Sequence, residues 1–181
     1  MDRLGAGRRL RELERGTTCA TALAFFDDLP PVAVPEMMGS WRGDEVPTGH
    51  PLTGVLARLG WRGKRFEGAE RVHPLVFASG EWSTFAVDPA LVPVGLVVAH
   101  PQLARLPGTS LLFRLARPIL TTRRPGARLC LTQYRGILTA TMCYDALPIH
   151  DVFRKVDDDT VLGAMDLRGT SDPFFFSLRR E

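Results

Sequence analysis

Met37-Met38-Gly39-Ser40-Trp41-Arg42-Gly43-Asp44-Glu45-Val46 is the stretch whose reading decides the fold. A tryptophan stands between two glycines where a helical pattern gives way to an extended one. Glycine permits a left-handed bend or a close backbone approach, and Trp41 brings a large flat apolar surface to the same spot. The combination suits the opening strand of a barrel, running from about Met38 to Val46, with the indole plugging one end. An ordinary buried tryptophan on a strand flanked by turn glycines fits the same residues.

Before this stretch, residues 8–29 read as helical. Thr17 or Thr18 is placed to cap a second helix, which Pro30-Pro31 would stop. Leu23, Phe26 and Leu29 share one face of it and are expected to close an end of the barrel. After the stretch comes a turn-rich loop, Pro47-Thr48-Gly49-His50-Pro51, and then Thr53, a candidate cap for a short helix carrying Val55, Leu56 and Leu59. Strict alternation from Trp61 puts Trp61, Gly63 and Arg65 on one face and Arg62, Lys64 and Phe66 on the other. Further extended pieces are Arg71 to Ala78 and Trp82 to Val87. Residues 88–127 are the least legible: Leu91 to His100 fits strand or helix, and Ser110 to Arg117 reads as a helix burying Leu111, Leu112 and Leu115.

From Arg128 the chain becomes a meander. Leu129, Leu131 and Gln133 alternate with Cys130, Thr132 and Tyr134, and Arg135-Gly136 supplies a turn. Leu138, Ala140, Met142 and Tyr144 follow on one face of the next strand. Ile149, Asp151, Phe153 and Lys155 share a face of the one after. Asp157-Asp158-Asp159 is a solvated hairpin turn into Val161 to Leu167, since it lacks the spaced ligands and glycine of a calcium loop. Phe174 to Leu178 closes the set. About eight strands emerge, the number a small closed barrel requires.

The residues Gly39-Ser40-Trp41-Arg42-Gly43 resemble the signature of the bacterial GXWXG-motif family. The likeness extends through Phe25 to Pro31, Pro47 to Leu52, Leu59 to Phe66 and Val72 to Leu75. Tyr144-Asp145, Pro148 to Asp157 and Gly163 to Asp166 resemble the companion C-terminal domain of unknown function (4334). A more distant likeness is to the lipocalin, fatty-acid-binding and nitrobindin barrels, which carry Gly-X-Trp on their first strand and stack a late arginine on that Trp. Arg179 or Arg180 fits that part. The resemblance implies a mostly β, lipocalin-like (calycin-type) antiparallel barrel with N-terminal and mid-chain helices. It implies one domain over residues 1–181: a motif-bearing half at 20–87, a helical linker or lid at 88–127, and the meander at 128–181. No haem or other cofactor is expected, because no histidine follows His150 to ligate one.

At 181 residues, 45% hydrophobic and 24% charged, the chain has the composition of a soluble globular domain large enough to bury a substantial core. A net charge of +3 spread over scattered arginines does not indicate nucleic acid. Arg8-Arg9-Leu10-Arg11 reads as a solvated helix face or a flexible arm rather than a binding tail. Three cysteines without Cys-X-X-Cys spacing argue against a disulfide framework or a zinc site, and a reducing cytoplasm is the expected compartment. No apolar run is long enough to insert across a membrane. Phosphate-cradling glycine loops, nucleophile elbows and His-Glu-X-X-His are absent.

The candidate site residues are polar groups on apolar strand faces. Asp151, between Ile149 and Phe153, is costly to bury alone. It reads as a general acid or base, or as one half of a buried ion pair with Lys155 or a neighbouring arginine. Tyr144 offers a hydroxyl anchor, His50 a rim imidazole, and Lys64 an ammonium for a ligand oxygen unless it snorkels to the surface. Trp61, Phe66, His73, Tyr134, Met142, Phe153 and Met165 are the candidate cavity lining. Gly39, Trp41, Gly43 and Arg179 are candidate structural residues. The leading expectation is a barrel that binds a small apolar organic molecule such as a lipid, terpenoid, polyketide or aromatic. The alternative is a cofactor-free isomerase, cyclase or lyase using Asp151 or His50 to move a proton. A homodimer through the N-terminal helices is a third reading.

Overall fold

The computed structural model describes residues 3–80 and 83–181, so Trp82 of the expected strand lies outside the described residues. The chain order is α1 (Arg3–Leu13), α2 (Cys19–Asp28), β1 (Gly39–Val46), α3 (Val55–Leu59), β2 (Trp61–Gly68), β3 (Arg71–Ala78) and β4 (Thr84–Val87). Then come α4 (Val94–Ala99), α5 (Pro101–Ala104), α6 (Thr109–Leu120), β5 (Thr121–Thr122), β6 (Ala127–Tyr134), β7 (Ile137–Tyr144), β8 (Ile149–Lys155), β9 (Thr160–Leu167) and β10 (Phe174–Arg180). All strand pairs are antiparallel. Eight strands close into a barrel in the order β2-β1-β10-β9-β8-β7-β6-β3, with β3 returning to β2. The remaining two, β4 and β5, extend from the far end of β3. At its start β3 meets β6 at a single residue pair, Val72 with Ala127, and at its far end it pairs with β4 instead along Val76–Ala78. The wall splays open at that end, and α4 to α6 lie over the gap.

Trp41 is buried in the barrel core, its indole N–H donating to the Met37 carbonyl at 2.8 Å. The arginine that covers it is Arg180, whose guanidinium lies 4.3 Å from the ring centre. Arg180 also donates to the carbonyls of Met38 at 2.7 Å and Glu36 at 2.8 Å, tying β10 to the turn before β1. Arg179 points to the other side of its strand and pairs with Glu14 at 2.6 Å and Asp44 at 3.2 Å, binding α1 to the barrel. Alternation decides between the two arginines.

The second glycine of the motif has a packing reason. A Cβ on Gly43 would stand 2.3 Å from the ring of Trp61, which lies flat against β1 at that point. On β2, Gly63 adopts φ +144° and a Cβ there would collide with the Trp41 carbonyl oxygen. The ladder register shifts on both sides of Gly63. This β-bulge overturns the strict alternation expected for the strand. Arg62 and Gly63 share one outward step, so Trp61, Lys64 and Phe66 all turn inward, while Arg62 and Arg65 face out.

The wall formed by β8, β9 and β10 is apolar on both faces, which explains the run Phe174-Phe175-Phe176. Phe174, Phe176, Phe153 and Met165 belong to the interior core. Phe175, Val152, Leu162 and Ala164 belong to a second core, with Leu10, Leu13, Phe26 and Leu29. Helices α1 and α2 therefore clad the outside of the barrel and do not close its end. Their apolar faces are spent within the chain. Thr18 caps α2 through the Thr21 N–H at 3.1 Å, and α2 ends before Pro30-Pro31. Helix α3 is capped not by Thr53 but by Glu45 of β1, whose carboxylate accepts from the N–H groups of Gly54 and Ala57. Arg135 and Gly136 both take positive φ, as a two-residue hairpin turn requires.

Helix α6 turns the opposite way from the expectation. Phe113, Ala116 and Leu120 face the barrel, whereas Leu111, Leu112 and Leu115 are exposed. The helix has two apolar sides, and sequence pattern does not say which one the barrel takes. Among the described residues no helix is long and apolar enough to cross a membrane.

Gly43→Ala is expected to destabilise the protein by about 1–3 kcal/mol through overpacking against Trp61. Urea denaturation measures the loss, and adding Trp61→Leu should recover most of it. Full stability in Gly43→Ala alone would contradict this account.

Candidate functional site: a buried ion pair beneath an apolar cavity

Strands β2 and β8 stand four positions apart whichever way the eight-strand ring is followed, so they face each other across the lumen. The bulge at Gly63 points Lys64 inward from β2, and simple alternation points Asp151 inward from β8. Their side chains meet, Nζ to Oδ2, at 2.7 Å, with 3% and 1% of each side chain exposed. The partner of Asp151 is therefore Lys64 on the opposite wall. Lys155, expected as a partner on the same strand, turns instead to Glu36 at 2.7 Å and Asp158 at 3.0 Å.

The ammonium is well satisfied. It donates to the Pro74 carbonyl at 3.2 Å and sits 4.8 Å from the centre of the Phe176 ring, with Trp61 at 5.5 Å and Tyr144 at 5.9 Å. Aromatic faces carry negative quadrupole density, so three rings around one cation offset part of its lost hydration. The carboxylate is less comfortable. Burial pushes the Asp151 carboxyl above the usual carboxylate range, and the Lys64 charge opposes that rise. Burial, then the neighbouring Asp151 charge, holds the Tyr144 phenol well above its ordinary value, so it remains a protonated donor at neutral pH. One ammonium, one carboxyl group with a raised pKa and one phenol converge on a single spot.

Above them lies a cavity of about 250 Å³. That is just below the usual size of ligand pockets, roughly 300–1,000 Å³. Among the described residues, Lys64 and Asp151 are the only charged side chains lining it. The remaining lining is almost wholly apolar, with Trp61, Leu75, Phe77 and Met165 from the barrel and Phe113 from α6. Phe113 packs against Phe77 at 4.9 Å and Phe85 at 6.3 Å, seating the helical cap on the splayed wall. Beyond the ion pair the barrel is filled. Phe66 and Phe153 meet edge-to-face at 6.0 Å, and with Met142 they occupy the interior without reaching the cavity.

Of the sequence candidates, Asp151, Tyr144, Lys64, Trp61 and Met165 come together at the cavity. The others do not. Phe66, Met142 and Phe153 are barrel filling. His50 is buried in a separate polar recess with Cys19 and Asp172, where its Nδ1 accepts the Leu52 N–H at 3.2 Å. Burial lowers its pKa. His73 is buried near Glu67, at 3.7 Å, away from the cavity. Tyr134 packs on the outside against Phe26, at 6.1 Å, and the β6–β7 register puts it and Tyr144 at opposite ends of the hairpin. All three cysteines are free. Sequence reasoning missed the cap residues Val94, Val97 and Phe113 as lining, because helices α4 to α6 carry no motif.

The fold and site define a closed eight-stranded antiparallel β-barrel protein with a half-filled interior. The GXWXG protein family model matches residues 24–81, and the model for the domain of unknown function DUF4334 matches residues 125–180. A crystal structure of a protein from Thermomonospora curvata is similar to this chain at 32% identity and a TM-score of 0.72, covering 98% of this chain and 99% of that one. No curated protein matches. The chain belongs to the GXWXG family with its companion DUF4334 domain.

Removing one partner of the pair leaves a buried charge uncompensated. Lys64→Met or Asp151→Leu is expected to cost about 3–5 kcal/mol, and the double variant Lys64→Met/Asp151→Leu much less than their sum. A double-mutant cycle by chemical denaturation measures the coupling.

Proposed function

We propose that the protein binds a small, mostly apolar organic molecule in the cavity between the barrel and its helical cap, with one oxygen function of the ligand meeting Lys64, Asp151 and Tyr144. The observation that carries this reading is the lining: apolar on all sides except for one converging polar cluster at the floor. A ligand of that character loses little on leaving water, and its single polar group finds donors and an acceptor. Purely hydrocarbon ligands would leave the cluster unused, and highly polar ones would lack partners along the walls. Native mass spectrometry of the freshly purified protein, with solvent extraction, should find a stoichiometric small molecule, or uptake from a panel of medium-chain alcohols and ketones. Leu75→Trp, which fills the cavity, should abolish it. A clean apo mass with no uptake overturns the reading.

A second reading is favoured by the convergence itself. Proton-transfer chemistry needs an acid–base group and an orienting donor at one place, and Asp151 with Tyr144 and Lys64 meets that geometry. In this reading the protein is a cofactor-free isomerase, cyclase or lyase. Asp151 moves the proton, while Tyr144 and Lys64 stabilise charge developing on the ligand oxygen. Tyr144→Phe keeps the ring and the packing. It is expected to lower kcat on a true substrate by about 10²-fold or more with binding nearly unchanged. Unchanged turnover in this variant and in Asp151→Asn would overturn this assignment of roles.

A further inference from the structure

Helix α6 has three sides. Phe113, Ala116 and Leu120 face the barrel. Arg114 and Arg117 occupy a second side. The third carries Leu111, Leu112, Leu115 and Ile119, exposed at 57%, 68%, 68% and 77%. Leu106 of the same cap is also exposed, as are Leu91, Leu96 and Leu103, which line the cavity. Eight of the twelve exposed large apolar side chains among the described residues thus fall between 91 and 119. Single exposed leucines need no explanation, but the four apolar side chains gathered on one face of α6 mark a contact surface.

Charge says what kind of contact. Residues 89–144 contain seven arginines and no Asp or Glu, although the chain holds twenty acidic residues elsewhere. Arg105, Arg114, Arg117, Arg123, Arg124 and Arg128 are exposed on or beside the cap. A second copy of the chain meeting this face symmetrically would bring arginine against arginine with no carboxylate to neutralise them. An anionic lipid surface offers phosphate oxygens to the guanidinium groups and an acyl boundary to the leucines. At twelve residues, about 18 Å, α6 is too short to span a bilayer and long enough to lie in its interface.

We propose that the α4–α6 cap is a docking surface for anionic lipid bilayers, with Leu111, Leu112, Leu115 and Ile119 entering the headgroup–acyl boundary and the cap arginines engaging lipid phosphates. The same helices roof the cavity, so docking places the mouth of the barrel against the membrane. The proposal stands on the surface alone and does not depend on what the cavity holds.

Vesicle flotation of the full chain tests it, using equimolar phosphatidylglycerol and phosphatidylcholine against phosphatidylcholine alone. The expected result is binding to the anionic vesicles at least about tenfold tighter than to neutral ones, weakened by 0.5 M salt. Leu112→Glu/Leu115→Glu, on an exposed face and with an unchanged circular dichroism spectrum, should lose it. Arg114→Glu/Arg124→Glu should lose the preference for anionic lipid. No flotation, equal binding to both vesicles, or undiminished binding by the leucine variant would overturn the proposal. So would a dimer in sedimentation velocity that the leucine variant converts to monomer while anionic vesicles fail to bind the wild type.

Discussion

A lysine and an aspartate held 2.7 Å apart across the barrel lumen constrain everything around them. Neither charge is tolerable alone in an apolar interior, so each wall must deliver its partner to the same depth. The β8 wall does so by plain alternation. The β2 wall needs a bulge, and that bulge needs Gly63, because only glycine accepts its backbone angle and the contact with the Trp41 carbonyl. The ring of Trp61 then settles against Gly43, and Phe176 closes over the ammonium. The motif glycines and tryptophans are thus tied to the ion pair through one continuous set of contacts.

The pair also divides the interior. On one side Trp41, Phe66, Phe153 and Met142 fill the barrel; on the other a cavity remains under α4 to α6. The division follows from the topology of β3, which leaves β6 after one residue pair and takes β4 as its neighbour. A wall that splays cannot be closed by strands. Helices close it, and their short segments present apolar side chains both inward to the cavity and outward to solvent. The N-terminal helices contrast with this, since α1 and α2 bury their apolar faces on the outer surface of β8 to β10.

Much of the chemistry was legible in the residues. Asp151 on the Ile149–Phe153 face announced a carboxyl group that burial would make costly, and Tyr144 shared a face with Met142 for the same reason of period-two alternation. Lys64 was readable as a charged residue sharing a face with Phe66, but alternation set Trp61 on the opposite face, and the bulge at Gly63 brings it to the same side. His50, His73 and Tyr134 looked comparable on sequence. Each is buried or half-buried in the structure, yet in different places, since burial alone does not say which cavity a side chain sees.

The sequence by itself determined the strands of the meander, the stop of α2 at Pro30-Pro31, the structural weight of Trp41 and the apolar setting of Asp151. These depend on local periodicity and backbone chemistry, which neighbours along the chain specify. The tertiary structure alone decided that Lys64 answers Asp151, that Arg180 and not Arg179 covers Trp41, and that α1 and α2 clad the wall instead of plugging an end. It also decided which apolar side of α6 the barrel takes. Those choices turn on register and ring closure, where a one-residue shift exchanges inside for outside, and only the assembled barrel supplies the partner that makes one arrangement lower in free energy.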